Sequence, residues 1–466
     1  MGAGALAIVG GAAAARVPTF YVVAFLSLVV VAIAWIWQSG EAIVPFLLLV
    51  AAMQGGGLLE LNLGNAPINT LMPLLGGWAV LAVLFSRQGR LTATRVSGAG
   101  RLLSSSLIVL GVIIVITAGA QVWRSDGRTL SVTEMLTLVQ LGVLVALTAY
   151  LLSDPRRVLW VGYVTMAVGG ALSVVALLTQ AGVATSLFQV VYSGSEARSS
   201  GLVGDPNYFS FQLLLSLAFA ANLSLAAKTN RGRIVAWPVF VVIVAAIVTT
   251  YSAGALVGLG AVLGGTALLQ LKVSAKRALA AFGLIVAATL AVALFAPAGY
   301  GSAVVTKYEK GVTSGSFQDF GTGRGAAWEA ALREVESNPV MGVGLGGERV
   351  VRAVADYYTY SLVDRKAAHN MYLSVAVGAG IFGLAAFLVI LAACFGVLWG
   401  THSRAARGQP SEIGLAAACL FTALLVVVTQ GLTLSLEYEK FVWLIVGACL
   451  AIRYWSVDMR QPATGS

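Results

Sequence analysis

Apolar runs of about twenty residues recur along the whole chain, and that is the length a helix needs to cross the hydrocarbon core of a bilayer. Such runs lie near 19–37, 42–59, 67–86, 104–122, 134–152, 158–180, 207–227, 234–251, 254–271, 278–297, 370–399, 413–433 and 441–455, thirteen in all. Residues 3–15 are apolar too, but they are short and dominated by Gly and Ala, so 12 to 14 spans are expected. No basic residue precedes that first stretch and Arg16 follows it, which is a poor fit to a signal peptide. Of the 466 residues, 59% are hydrophobic and 10% charged, against roughly 25% charged in a soluble domain. A soluble protein cannot hide that much apolar surface. A soluble enzyme, a nucleic-acid module and a disordered chain are all excluded. The fold class expected is an all-α polytopic membrane protein.

Charge then orients the spans. If they alternate, six regions fall on one side and hold 16 basic residues, from Arg87 to Arg460, with three acids, Asp154, Glu412 and Asp458. The opposite loops hold 12 basic and 14 acidic residues. Lys and Arg stay on the cytoplasmic side of short loops. The C-terminus is therefore expected in the cytoplasm, with 123–133, 181–206, 298–369 and 434–440 facing outward. The net charge of +10 follows from topology and from attraction to anionic lipid, and no continuous basic face points to nucleic acid. Three segments follow: 1–297, N-terminal spans with an outward loop at 181–206; 298–369, a large outward loop; and 370–466, C-terminal spans with a cytoplasmic tail.

Cys394, Cys419 and Cys449 all lie in or beside apolar spans, so they read as small packing residues. No Cys/His spacing suits a metal. His402 falls in a basic cytoplasmic loop. The polar chemistry is concentrated in loop 298–369, which carries eight basic and eight acidic residues; long loops are often functional. Within it, Thr322 is placed to cap a helix over about 324–337. Ala327, Trp328, Ala331, Leu332 and Val335 recur on one face of that helix. Asn338-Pro339 stops it. A glycine-rich turn, Gly342 to Gly347, leads to a second helix over about 348–358, and Ala368-His369-Asn370 brings the chain back to the membrane. The glycines lack the strand and βαβ unit of a dinucleotide site and read as a tight turn. In the other outward loop, Asp205 is placed to cap a span that Pro206 and Asn207 begin.

Arg198-Ser-Ser-Gly201 with Pro206-Asn207, Arg324-x-x-x-Trp328 with Asn338-Pro339-x-x-Gly342-x-Gly344-x-Gly346, and His369-Asn370-x-Tyr372-Leu373 with Gly378-x-x-Gly-x-x-Gly383 occur in this order. Together they resemble the O-antigen ligase and polymerase family of membrane glycosyltransferases over about 190–390. The resemblance departs at Thr250-Tyr251-Ser252-Ala253-Gly254, where Ala253 stands in place of an arginine frequent in the family. It implies a GT-C-like bundle with a helical outer loop, in the inner (plasma) membrane. It implies transfer of a glycan from an undecaprenyl-diphosphate carrier to an acceptor glycan or glycolipid, with no metal or other cofactor. Membrane lipid and polysaccharide assembly proteins are the further partners.

The residue chemistry suits that reaction. Arginine holds phosphate bidentately and keeps its charge in a poorly solvated cavity, so Arg198 and Arg324 are candidate diphosphate clamps. Histidine titrates near neutrality, so His369 is the candidate base for the acceptor hydroxyl. Asn370, Asn207 and Ser252 are candidate substrate contacts. A plain structural role competes at each position: a helix-start residue for His369, a solvated cation for each arginine. Two other functions compete as well. One is a secondary transporter of a small anion such as bicarbonate, which would place charge or broken helices near the midplane. The other is a non-catalytic partner in polysaccharide export.

Overall fold

The computed structural model describes residues 43–55, 61–63, 66–68, 98–123, 128–183, 190–193, 196–226, 230–271, 273–296, 300–302, 305, 309, 313, 324–344, 347–356, 368–407 and 412–452. Two compact units are present, Met1–Leu91 and Thr92–Ser466.

In the first unit, α1 spans Ile43–Gly55. Its 13 residues reach about 20 Å at 1.5 Å per residue; residues 42 and 56–59 of the expected span at 42–59 lie outside the described residues. A small antiparallel hairpin follows, β1 (Leu61–Leu63) with β2 (Ala66–Ile68), in which Leu61 pairs with Ile68. The expected span at 19–37, and that at 67–86 beyond residue 68, lie outside the described residues.

The second unit is a helical bundle. Its elements are α2 (Gly98–Trp123), α3 (Arg128–Leu151), α4 (Pro155–Gln180), the hairpin β3 (Val190–Ser193) and β4 (Glu196–Ser199), α5 (Pro206–Ala226), α6 (Asn230–Val248), α7 (Ala253–Leu271), α8 (Ala275–Phe295), α9 (Arg324–Ser337), α10 (Gly347–Asp356), α11 (Met371–Arg407), α12 (Glu412–Gln430) and α13 (Lys440–Ala451). Among the described residues, α4, α5, α7, α8, α11 and α12 are long and apolar enough to cross a membrane, and α2, α3, α6 and α13 hold shorter apolar stretches. The protein is an all-α polytopic membrane protein.

Helix α5 is the central element, with 89% of its apolar window buried against 22% for α8. Phe209, Phe211 and Leu213 are fully enclosed. Close packing needs small partners: a Cβ on Gly258 of α7 would come within 2.4 Å of Leu214. A buried polar contact adds direction, since the Asn222 amide donates to Thr422 Oγ1 at 3.0 Å and so joins α5 to α12. Helix α8 shows the opposite surface. Leu279, Phe282, Val286, Leu290 and Leu294 are all exposed at spacings of three and four. In water such a stripe would be a liability; facing hydrocarbon, it is the expected exterior.

Helix α11 runs to Arg407, beyond the expected 370–399, and ends with Arg404 and Arg407 in its last turn, where cations oppose the negative helix end. His402 is therefore not in a loop. It is buried in α11, with Nδ1 3.1 Å from the Gly414 carbonyl and Nε2 3.1 Å from the Leu269 carbonyl. Helix α11 is also broken at Gly380, with φ 67° and ψ −174°. The break is filled by residues 339–344. Val343 N–H donates to Val377 O, Gly344 N–H to Gly378 O, and Ile381 N–H to Pro339 O, at 2.8, 2.8 and 2.9 Å.

The helix expected at 324–337 is α9, and the second, expected at 348–358, is α10; Thr322 lies outside the described residues. The buried face of α9 differs from expectation. Ala327, Ala330, Ala331 and Glu334 face inward, whereas Leu332 is 48% exposed. The small alanines allow a close approach to α10 and to Ala368 and Val377, an approach that leucine would prevent.

Candidate active site

The site is built from helix starts and ends that meet at one end of the second unit. Asp205 begins it by capping α5: its Oδ1 accepts from the N–H groups of Asn207 and Tyr208 at 2.7 and 3.0 Å. This fulfils the expected cap and satisfies donors that a helix start leaves open. Asn207 in turn accepts from Arg198 Nη2 at 3.3 Å, while Arg198 Nε donates to the Thr250 carbonyl at 2.9 Å. The same strand is stitched to the end of α6, because Ser199 N–H donates to Thr249 O at 3.0 Å. Arg198 thus stands half-buried between α5 and the α6–α7 turn. Ser252 belongs to that turn. It is 3% exposed, and its hydroxyl accepts from Ala255 N–H at 3.4 Å. Tyr251, beside it, has a positive φ of 49°. Arg198, Asn207 and the segment holding Ser252 are brought together directly.

His369 and Asn370 form a second turn at the start of α11. His369 is half-buried with φ 46°, a conformation rare outside glycine and costly to hold. Asn370 stabilises the turn. Its Oδ1 accepts from Tyr372 and Leu373 N–H at 3.0 and 3.1 Å, and its Nδ2 donates to Leu432 O at 3.2 Å. Asn370 is thus the helix cap, with both ends of its amide used within the protein. Arg324 opens α9 and is half-buried.

The expected outward loop 434–440, to which no site residue is assigned, joins the Arg198 and His369 parts together with the turn before it. Residues 430–439, from the last residue of α12 to the start of α13, touch the starts of α5, α7 and α11. Gln430 Nε2 donates to Gly254 O at 2.7 Å, at the start of α7. Met371 N–H donates to Gly431 O at 2.7 Å. Tyr208 donates its hydroxyl to Ser435 O at 2.9 Å, and the Ser374 and Ser435 hydroxyls are 3.1 Å apart. Glu437 lies beneath, 7% exposed. Its carboxyl is hydrogen-bonded to Ser374, and burial pushes it up to about 8; the Ser374 bond and a main-chain N–H oppose that shift, and Glu439 adds to it. The available signal was two acids in a short loop flanked by apolar spans, since ionisable groups there seldom lack a purpose. Among the described residues, no three His, Cys, Asp or Glu side chains converge as metal ligands would.

The arrangement offers an arginine anchored by main chain, a histidine on a constrained turn, and a polar belt linking the two. Residues 238–388 match the family model described as O-antigen ligase. Over this segment the chain is similar to the O-antigen ligase family. It contains Ser252, Arg324, His369 and Asn370, while Arg198 and Asn207 precede it. No curated protein matches the chain. The match supports, at the level of the family, a glycosyltransferase of the ligase/polymerase type.

Proposed function

We propose that the protein transfers a glycan from an undecaprenyl-diphosphate carrier to an acceptor sugar hydroxyl at the outer face of the plasma membrane. The C-terminus is cytoplasmic in this reading, as the distribution of Lys and Arg requires. The observation that carries it is the anchoring of Arg198 to Thr250 and Asn207, in the same hydrogen-bonded belt that holds the His369 turn through residues 431–435.

His369 takes the proton of the acceptor hydroxyl as that oxygen attacks the anomeric carbon. The bond from that carbon to the diphosphate oxygen breaks, and the configuration inverts. Arg198 and Arg324 stabilise the charge that gathers on the leaving diphosphate, an effect worth most in a site poor in water. Asn207 and Asn370 serve by holding Arg198 and the His369 turn. Ser252 supports the floor beside Arg198. The acceptor is either another lipid-linked glycan, for a polymerase, or a glycolipid, for a ligase.

The test is transfer in lipid nanodiscs from a defined lipid-diphosphate glycan to a labelled acceptor. Native protein is expected to form product without added metal, and H369A to form none at an equal folded amount. Uptake of a small anion by proteoliposomes, with no transfer, would replace this reading with the transporter. Full polymer formation in cells carrying H369A, R198A and R324A would replace it with a non-catalytic partner in export.

A further inference from the structure

Glu437 has no part in the proposed reaction, yet it is a buried acid at this end of the bundle. One of its oxygens, Oε2, is enclosed without a hydrogen-bond partner among the described residues. Its main-chain carbonyl accepts from Trp443 Nε1 at 2.8 Å, which fixes the backbone to α13. Its side chain bonds to Ser374, and Ser374 N–H bonds to Asn370 O at 2.9 Å, one helical turn below the His369 turn. Ser374 also meets Ser435, whose carbonyl holds Tyr208.

We propose that Glu437 is a positioning residue for glycosyl transfer: through Ser374 and Ser435 it locks segment 431–439 beneath the Asn370 turn, and so sets where His369 stands. This rests on His369 being the base. The lock needs the acid to keep its proton. Ionised, Glu437 would be a buried carboxylate with one oxygen unbonded, and such a group is expelled towards water rather than tolerated. Its charged and titratable surroundings do not offset this. Glu439 shares its loop, Tyr208 and Asp205 stand on and before α5, His369 precedes α11, and Lys440 opens α13 and acts on Glu439. Transfer therefore has an alkaline limb that belongs to Glu437.

The test compares pH profiles of kcat and KM for the full-length native protein, E437Q, E437A and S374A in nanodiscs. The glutamine amide keeps the shape and hydrogen bonding of the neutral acid and cannot ionise. E437Q is expected to stay active and to lose the alkaline limb near pH 8. E437A and S374A are expected to lower kcat by about 10²-fold, the scale of a 1 Å misplacement, with KM for the carrier little changed. An E437Q profile that keeps the native alkaline limb, or a native kcat in S374A, overturns the proposal. If native protein shows no transfer, the functional reading has failed rather than the lock. The lock is then judged by thermal unfolding, where equal loss of stability on alkalinisation in native protein and E437Q overturns it.

Discussion

Arg198 donates through Nε to the Thr250 carbonyl at 2.9 Å while its Nη2 meets Asn207 Oδ1. One guanidinium thus spans the gap between the start of α5 and the end of α6. A lysine has neither the fork nor the reach to hold both partners. R198K is expected to lower kcat/KM for the lipid-linked donor by about tenfold or more, the worth of one or two lost hydrogen bonds to a charged group. N207A is expected to show a smaller loss in the same direction. Steady-state kinetics with a defined donor check both.

The proposed base, His369, sits on a left-handed backbone. Asparagine tolerates that backbone region and alanine does so poorly. H369N is therefore expected to unfold at nearly the native temperature, while H369A is destabilised by about 1–3 kcal/mol, the usual strain of such a position. Both are expected to lack transfer. Thermal unfolding in detergent, run beside the transfer assay, separates backbone from chemistry.

The break in α11 gives a steric prediction. A Cβ on Gly380 would come within 2.1 Å of Val340 O, and one on Gly342 within 2.4 Å of Val377 O, both at positive φ. G380A and G342A are each expected to cost several kcal/mol or to prevent folding, because the main chain on both sides must move. Gly111, with nothing within 4 Å of its Cβ, is the control. G111A is expected to be neutral or up to about 1 kcal/mol stabilising, as alanine is in a helix. Folded yield and unfolding temperature report the difference.

Stability itself depends on pH through Glu437. The carboxyl holds its proton to about pH 8 when folded, against an ordinary value of 4.5 when unfolded. Between these values the folded state binds more protons, so stability falls as pH rises. The contribution is full below 4.5 and gone above about 8. Unfolding temperatures from pH 5 to 9 are expected to decline in native protein, and to decline less in E437Q. Parallel declines would show that another group governs the slope.

Much of this architecture is legible in the chain. The helix over 324–337 is marked by its apolar spacing and by Asn338-Pro339, and the α5 cap by Asp205-Pro206-Asn207. These are local signals, confined to one or two turns. The belt at 430–439 has no such signal, because its partners are distant: Gln430 reaches Gly254 across 176 positions, and Tyr208 reaches Ser435 across 227. The break at Gly380 is hidden for another reason. Hydropathy runs unbroken through 371–399, and only the carbonyls supplied by 339–340 make the kink necessary. The inward face of α9 misleads because alanine packing, rather than the largest side chains, decides which way the helix turns.

The three main-chain bonds between 339–344 and 377–381 have an engineering consequence. A loop tethered only at its ends can be exchanged between proteins like a cassette. Here residues 339–344 and the interrupted α11 are two halves of one joint, each supplying the other's missing partners. A chimera that imports 298–369 from another sequence must import 377–381 with it, or the graft will leave a membrane helix with its seam open.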